Sequence, residues 1–279
     1  MKPPGPKRDR PWALILFSGI SREGDIQHAL VRKGWVVCAV DSMAPKPTDL
    51  LCEATWESIS LDLVGGFFKA LWVATPCETF SPLREKPPGP RVLRTLEHIE
   101  GLPRSSLTTG EQKQLKESNI LVKRTSSAAS AQSASGGMWG IENPDHGKEK
   151  PSLWDMPSIK DLIDRKADGD VRFDQCRTGL ETRKPTRLVT KNMDLSELHN
   201  MRCNHPLQTI TKDDGTTYQA AHRSTVQRWI ANAAGERERA SKSQGQYTSQ
   251  LSETIARAFH ASQVGAPWLR AELEREQLP

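Results

Sequence analysis

The chain is short of cysteine and of long apolar runs, and each shortage excludes a class of protein. Five cysteines are an odd count, scattered and without a Cys-x-x-Cys pair. That excludes a disulfide scaffold and favours a reducing, intracellular compartment, the nucleus in a eukaryote and the cytoplasm otherwise. No apolar stretch approaches the roughly 18 residues of a membrane span, so no membrane partner is expected. The basic start from Met1 to Arg10 and the apolar run from Pro11 to Phe17 imitate a signal peptide. No small-residue cleavage site follows, and the run passes straight into Ser18-Gly19, so it is taken as part of the fold. No internal repeat is visible. Neither sign of charge dominates: 39 Lys and Arg stand against 34 Asp and Glu, a net +5, which permits an anionic partner without requiring one. A mean hydropathy of −0.60 makes the chain polar for a globular protein, yet 279 residues are enough to bury a real core.

What is present reads as an open α/β sheet. Ala13–Phe17 is a short apolar run ending at Ser18-Gly19, as a buried parallel strand would be. Residues 23–33 have helical spacing and stop at Lys33-Gly34, and Trp35–Val40 is a second strand ended by Asp41. A helix over 53–63 and a strand over Leu71–Ala74 follow, the latter running into Thr75-Pro76-Cys77. Residues 84–110, crowded with Pro, Arg and Gly, form a long loop. A helix is expected over 110–124, fading into a flexible small-residue connection over 125–137. Met138–Ile141 is a strand before Glu142-Asn143-Pro144, 155–165 a helix and 171–190 a basic hairpin. The region 192–245 is polar, with a helix around 223–234. Tyr247–Ala261 is amphipathic, with Leu251, Ile255, Ala258 and Phe259 on one face. Trp35, Trp72 and Trp139 sit in apolar runs and belong to the core.

Three constellations carry chemistry. Gly19 at a strand–helix turn lets a ligand approach the backbone, and Asp41 at the end of the next strand can accept bonds from ribose hydroxyls. The plain alternative is a tight turn and a cap. Cys77, just past a strand's carboxyl end, stands where α/β sheets place ligands, although an unpaired cysteine is more often buried packing. Glu142, at the end of an apolar strand, is a candidate general acid, whereas Asn143-Pro144 also suits a simple turn.

Together and in this order, these residues resemble the DNA cytosine C5-methyltransferase family, whose motifs are Phe-x-Gly-x-Gly, an acid after the second strand, Pro-Cys and Glu-Asn-Val. A divergent branch in viruses and mobile elements is closer still. Its pattern is matched by Leu16–Gly19, Gly34-Trp35 with Val40-Asp41, Pro76–Ser81 with Arg84, Glu142–Pro144 and Lys184-Pro185-Thr186. The likeness covers about residues 13–190 and the helix after Tyr247. It implies a Rossmann-like methyltransferase sheet with a small irregular C-terminal region, S-adenosyl-L-methionine as cofactor and DNA as partner; the sequence leaves the oligomeric state open, with a monomer favoured. It implies a covalent mechanism on a flipped-out cytosine: Cys77 adds to C6 while Glu142 contacts N3 and the amino group. Phe17, Ser18, Gly19, Asp41, Pro76 and Asn143 then fall around the cofactor, Asp49 takes its adenine amino group, and Asn143 also braces the Pro-Cys loop. Asp49 suits an N-cap of the following helix equally well. Ser81, Arg84, Arg183 and Lys184 fall on the nucleic acid, with Arg91, Arg94 and Arg104 in the same mobile loop as Arg84.

The likeness divides the chain into a disordered basic arm (1–10), a catalytic domain (11–191), a target-recognition-like region (192–246), a returning helix (247–263) and a tail (264–279). Several positions depart from the pattern. Ile20-Ser21 replaces the second glycine of the turn, Thr75 replaces the first proline of Pro-Pro-Cys, and Pro144 replaces valine. No Gln-x-Arg-x-Arg is found, so Arg183 or Lys184 supplies the cation. Rival readings are the same chemistry on RNA, methylation of an exocyclic amino group, and a non-catalytic nucleic-acid-binding relic of a mobile element. Cys176, His199, Cys203, His205 and His222 show no standard zinc spacing, because Cys203-x-His205 is tight and lacks a matching pair. No metal site is expected.

Overall fold

A computed structural model describes residues 10–43, 47–85, 90–211, 215–222, 229–231, 237–239 and 246–264. The expected basic arm, apart from Arg10, and the tail beyond 264 lie outside the described residues.

The core is a six-stranded sheet in the order β2-β1-β3-β4-β6-β5. Its strands are β1 (Trp12–Leu16), β2 (Val36–Val40), β3 (Ala70–Val73), β4 (Met138–Pro144), β5 (Gly169–Asp174) and β6 (Pro185–Lys191). The first four pair in parallel, and β6 runs antiparallel to both its neighbours. The expected hairpin over 171–190 is this β5–β6 pair.

Alternation along the central strands sorts the core into two layers. Ala13, Ile15, Ala70 and Trp72 face one side, with Trp35. They pack there against α1 (Ile26–Arg32) and α5 (Ser249–Val264). Leu14, Leu16, Leu71 and Val73 face the other side, toward α2 (Glu53–Val64), α3 (Thr109–Ala134) and α4 (Pro157–Lys166). A strand buried on both faces is continuously apolar, which is why Ala13–Leu16 carries no polar residue. Leu251, Ile255, Ala258 and Phe259 are all buried, as their spacing predicts. Trp35, Trp72 and Trp139 are among the largest fully buried side chains. Gly140 lets Trp72 lie flat across β4; a methyl group there would stand 2.3 Å from the ring.

Two expectations are corrected. The small-residue stretch 125–134 is not a flexible connection but the second half of α3. Thr125, Ser126, Ala128, Ala129 and Gln132 are buried, and their small size lets the helix approach the sheet closely. Their hydroxyls are absorbed locally: Thr125 donates to the Leu121 carbonyl (2.9 Å) and Ser133 to that of Ala129 (3.0 Å). A capping box between Thr108 and Glu111 starts this helix. The helix expected around 223–234 is also absent where residues are described, for Trp229–Ala231 is a strand (β9) pairing antiparallel with Arg237–Arg239 (β10). A second small hairpin joins β7 (Gln208–Thr211) to β8 (Thr217–Ala220). No described helix is long and apolar enough to cross a membrane.

Candidate active site

The carboxyl ends of β1, β3 and β4 carry the residues singled out in the sequence. After β1 the chain crosses to β2 on one side, whereas β3 lies on the other. Open α/β sheets bind ligands at such a switch point.

At the end of β1, Phe17 has φ +60° and Gly19 φ +69°. A non-glycine residue held there costs about 1–3 kcal/mol, and such strain clusters at active sites and ligand clamps. The Phe17 N–H donates to the Val40 carbonyl (2.9 Å), and the Gly19 N–H donates to Asp41 Oδ2 (2.9 Å). Asp41 Oδ1 accepts from the Met43 N–H (2.7 Å). Each carboxylate oxygen keeps a lone pair for a ligand hydroxyl. No atom lies within 4 Å of where a Cβ on Gly19 would stand, so the backbone is open to close approach. Ser18 is half-buried beside it. Asp49 is exposed and accepts from the Leu51 N–H (2.7 Å). It does not cap α2, whose N-cap is Cys52.

At the ends of β3 and β4, Val73 pairs with Ile141. Glu142 thus lies near the carboxyl end of β4, beside the turn that carries Thr75, exposed Pro76 and half-buried Cys77. Asn143 Nδ2 donates to the Thr75 carbonyl (2.7 Å), and the Thr75 and Thr125 hydroxyls bond at 2.8 Å. The expected brace on the Pro-Cys turn is therefore Asn143, with Thr75 holding the turn to α3.

Glu142 is buried, and both of its carboxylate oxygens have partners. Lys184 Nζ lies 3.3 Å from its Oε1, and Gln175 Nε2 donates to the same oxygen at 3.3 Å. The Tyr247 hydroxyl donates to Oε2 (3.1 Å) and accepts from Trp72 Nε1 (3.2 Å). Burial pushes the Cys77 thiol up, while the Lys184 ammonium pulls it down and the Glu142 and Glu78 carboxylates push it up further. Burial and the neighbouring Glu142 likewise hold the Tyr247 phenol well above its usual range. Sulfur, carboxylate, ammonium and phenol thus form one electrostatic unit.

Replacing Lys184 by glutamine should slow alkylation of Cys77 by iodoacetamide at pH 8, and Glu142→Gln should speed it. Each effect should be about threefold, since a change in thiolate fraction is partly offset by the opposite change in nucleophilicity. Peptide mass spectrometry at Cys77 reads the rates, and a shared direction would contradict the arrangement.

The structure redistributes the cations expected on nucleic acid. Lys184 turns inward to Glu142. Arg84 is spent on its own loop, donating to the Glu78 and Arg91 carbonyls (2.7 and 2.8 Å) and to Gln114 Oε1 (2.9 Å). Its side chain thus ties Glu78 and Arg91 to Gln114 of α3. Arg183 is more than half exposed, with Asp174 Oδ2 at 3.3 Å. Arg94 is buried, against expectation. It donates to Thr79 (3.0 Å), the Ile99 carbonyl (2.6 Å), Ser118 (3.1 Å) and Asn119 (2.8 Å), with its guanidinium 4.1 Å from the Phe80 ring centre. Burial lowers its pKa to about 10.

Arg94→Ala should lower unfolding free energy by about 3 kcal/mol, because buried acceptors lose their donors. Lysine should restore little of it, since one ammonium does not span four acceptors. Urea midpoints measure both; an unchanged midpoint for Arg94→Ala would refute the assignment.

Sequence reasoning did not single out Tyr247 or Gln175. It also set aside Cys176, Cys203, His205 and His222 on spacing, yet the structure gathers these four into one cluster, without His199. Burial and the Cys203 sulfur push the Cys176 thiol up to about 11. All five cysteines are free thiols.

No protein-family model matches the chain, and a search of curated proteins finds no significant match.

Proposed function

We propose that this chain is a DNA cytosine C5-methyltransferase using S-adenosyl-L-methionine. The observation that carries the reading is the position of Cys77 and Glu142. Cys77 follows β3 and Glu142 lies near the carboxyl end of the adjacent parallel strand β4; both lie in the field of Lys184, and the Asn143–Thr75 bond joins their segments.

The residues fit the cofactor. The left-handed turn at Phe17–Gly19 leaves the backbone open, and Asp41 presents two carboxylate oxygens beside it, suited to ribose hydroxyls. When bound, S-adenosyl-L-methionine supplies an electrophilic methyl group.

The chain's own residues make cytosine able to take it. C5 of cytosine is a poor nucleophile. Cys77, as thiolate, adds to C6 and leaves C5 enamine-like. Glu142 hydrogen-bonds N3 and the exocyclic amino group, holding a proton where negative charge develops. Gln175, Lys184 and Tyr247 fix that carboxyl group, so its orientation is set before substrate arrives. Lys184 also offsets the cost of forming a thiolate in a buried turn. Loss of the C5 proton to solvent then forms the C5–C6 double bond as the C6–S bond breaks, releasing Cys77 as thiolate and restoring the aromatic ring. Neither face of a stacked base is reachable, so the target leaves the duplex.

Transfer of labelled methyl from the cofactor to DNA, followed by nucleoside analysis, tests the reading. 5-Methylcytosine supports it. N4-methylcytosine would instead indicate the amino-group rival, label in RNA alone the RNA rival, and binding without transfer a non-catalytic protein.

A further inference from the structure

Four side chains outside the active site converge without a part in its chemistry. Cys176 lies in the turn between β5 and β6, Cys203 and His205 precede β7, and His222 follows β8. Their ligand atoms all lie within 4.8 Å of one another. Cys203 Sγ is 3.5 Å from His205 Nδ1 and 3.2 Å from His222 Nε2. Ligand atoms placed tetrahedrally on zinc, with bonds of about 2.0–2.3 Å, stand about 3.3–3.8 Å apart. The cluster therefore needs little adjustment to close on an ion.

Its surroundings orient the donors. His222 Nδ1 lies 2.9 Å from the Glu181 carbonyl. A carbonyl only accepts, so Nδ1 carries the proton and the lone pair is on Nε2, the atom that faces Cys203. A hydrogen bond on the far nitrogen is what fixes a metal-binding histidine. The Cys203 N–H donates to Asp174 Oδ2 (2.8 Å). Asp174 is fully buried, and its Oδ1 has no hydrogen-bond partner among the described residues, so added positive charge nearby is favourable. Two thiolates with two imidazoles select zinc over the oxygen-seeking cations.

We propose that Cys176, Cys203, His205 and His222 bind one zinc ion in a closed tetrahedral site. Four protein ligands leave no position for water, so the ion's task is structural. It clamps the region beyond β6 onto the β5–β6 turn. Cys176 is chain neighbour to Gln175, which bonds Glu142, so the clamp also fixes one support of that carboxylate.

The full chain, purified after expression with zinc in the medium, should carry one zinc per molecule by elemental mass spectrometry. Cobalt(II) in its place should give the strong visible bands of a tetrahedral ion and a thiolate charge-transfer band. Cys203→Ser and His222→Gln should each lose the metal, and Cys52→Ser, at an exposed cysteine, should keep it. If those variants do not fold, zinc X-ray absorption on the unaltered chain decides. Two sulfur and two nitrogen neighbours support the site, and a shell of nitrogen and oxygen alone overturns it. So does folded, zinc-treated protein without metal, or a Cys176–Cys203 disulfide, seen as two hydrogens missing from the non-reduced mass.

Discussion

Cys77→Ala is expected to lower methyl transfer to cytosine by at least about 10⁴-fold, roughly 5.5 kcal/mol of barrier, with binding of DNA unchanged. The size follows from what the sulfur does: without it C5 never becomes enamine-like, and no neighbouring group replaces it. Glu142 is held by Lys184, Gln175 and Tyr247, and Lys184 as an ammonium is not a nucleophile. Serine at position 77 should behave like alanine, since an unactivated hydroxyl in a buried turn ionises far less readily than a thiol. Single-turnover incorporation of labelled methyl, beside filter binding of the same duplex, separates chemistry from affinity. Transfer within tenfold of the unaltered protein would mean that Cys77 is packing, which is how an unpaired cysteine is most simply read.

Glu142→Gln is expected to cost about 10²–10³ in the rate of transfer, about 3–4 kcal/mol, the amount lost when one aimed charge-stabilising group is removed from an enclosed site. The amide keeps the shape and can still accept from Tyr247, but it does not hold a proton on N3 as negative charge develops. The loss should fall on the turnover rate and leave the substrate concentration dependence nearly unchanged. A variant defective only in binding would place Glu142 in recognition instead. The opposite effect of this same substitution on alkylation of Cys77, where the rate rises, makes the pair of results hard to produce by general damage to the fold.

The parts of the fold legible in the sequence are those where one strong pattern acts alone. Ala13–Leu16, Leu71–Val73 and Met138–Ile141 are buried on both faces, so their apolar runs mark them without help from neighbours. The helix over Ser249–Val264 has one apolar stripe, and that stripe is what packs. The Ser/Ala stretch of α3 was misleading because low complexity in sequence resembles a linker. Alanine is nevertheless the best helix former, and a close helix–sheet approach selects small residues. Arg94 looked like any loop arginine. Its burial depends on Thr79, the Ile99 carbonyl and the Ser118–Asn119 pair of α3 meeting from three different segments.

The site divides in the same way. Gly19, Asp41 and Cys77 follow strands and Glu142 lies near the carboxyl end of one, so chain position alone indicated a shared edge. Tyr247 and Gln175 reach Glu142 from 105 and 33 residues away in the chain, and no local pattern marks them. Lys184 was expected on nucleic acid because it lies in a basic stretch; the antiparallel return of β6 beside β4 turns it toward Glu142 instead. The cysteine–histidine cluster failed a spacing rule written for compact local motifs. Here one ligand comes from the β5–β6 turn and the others from beyond β6, and only the tertiary structure brings them together.

The most direct test is to incubate the protein and S-adenosyl-L-methionine with duplex DNA carrying 5-fluorocytosine and to weigh the intact product. Fluorine at C5 blocks the final elimination, so a sulfur that adds to C6 stays attached. The expected result is one protein joined to one DNA strand, with the bond mapped to Cys77 and absent from Cys77→Ala. Methyl transfer to ordinary cytosine with no such adduct, or an adduct at another residue, would contradict a mechanism in which this thiol and Glu142 act on the same base.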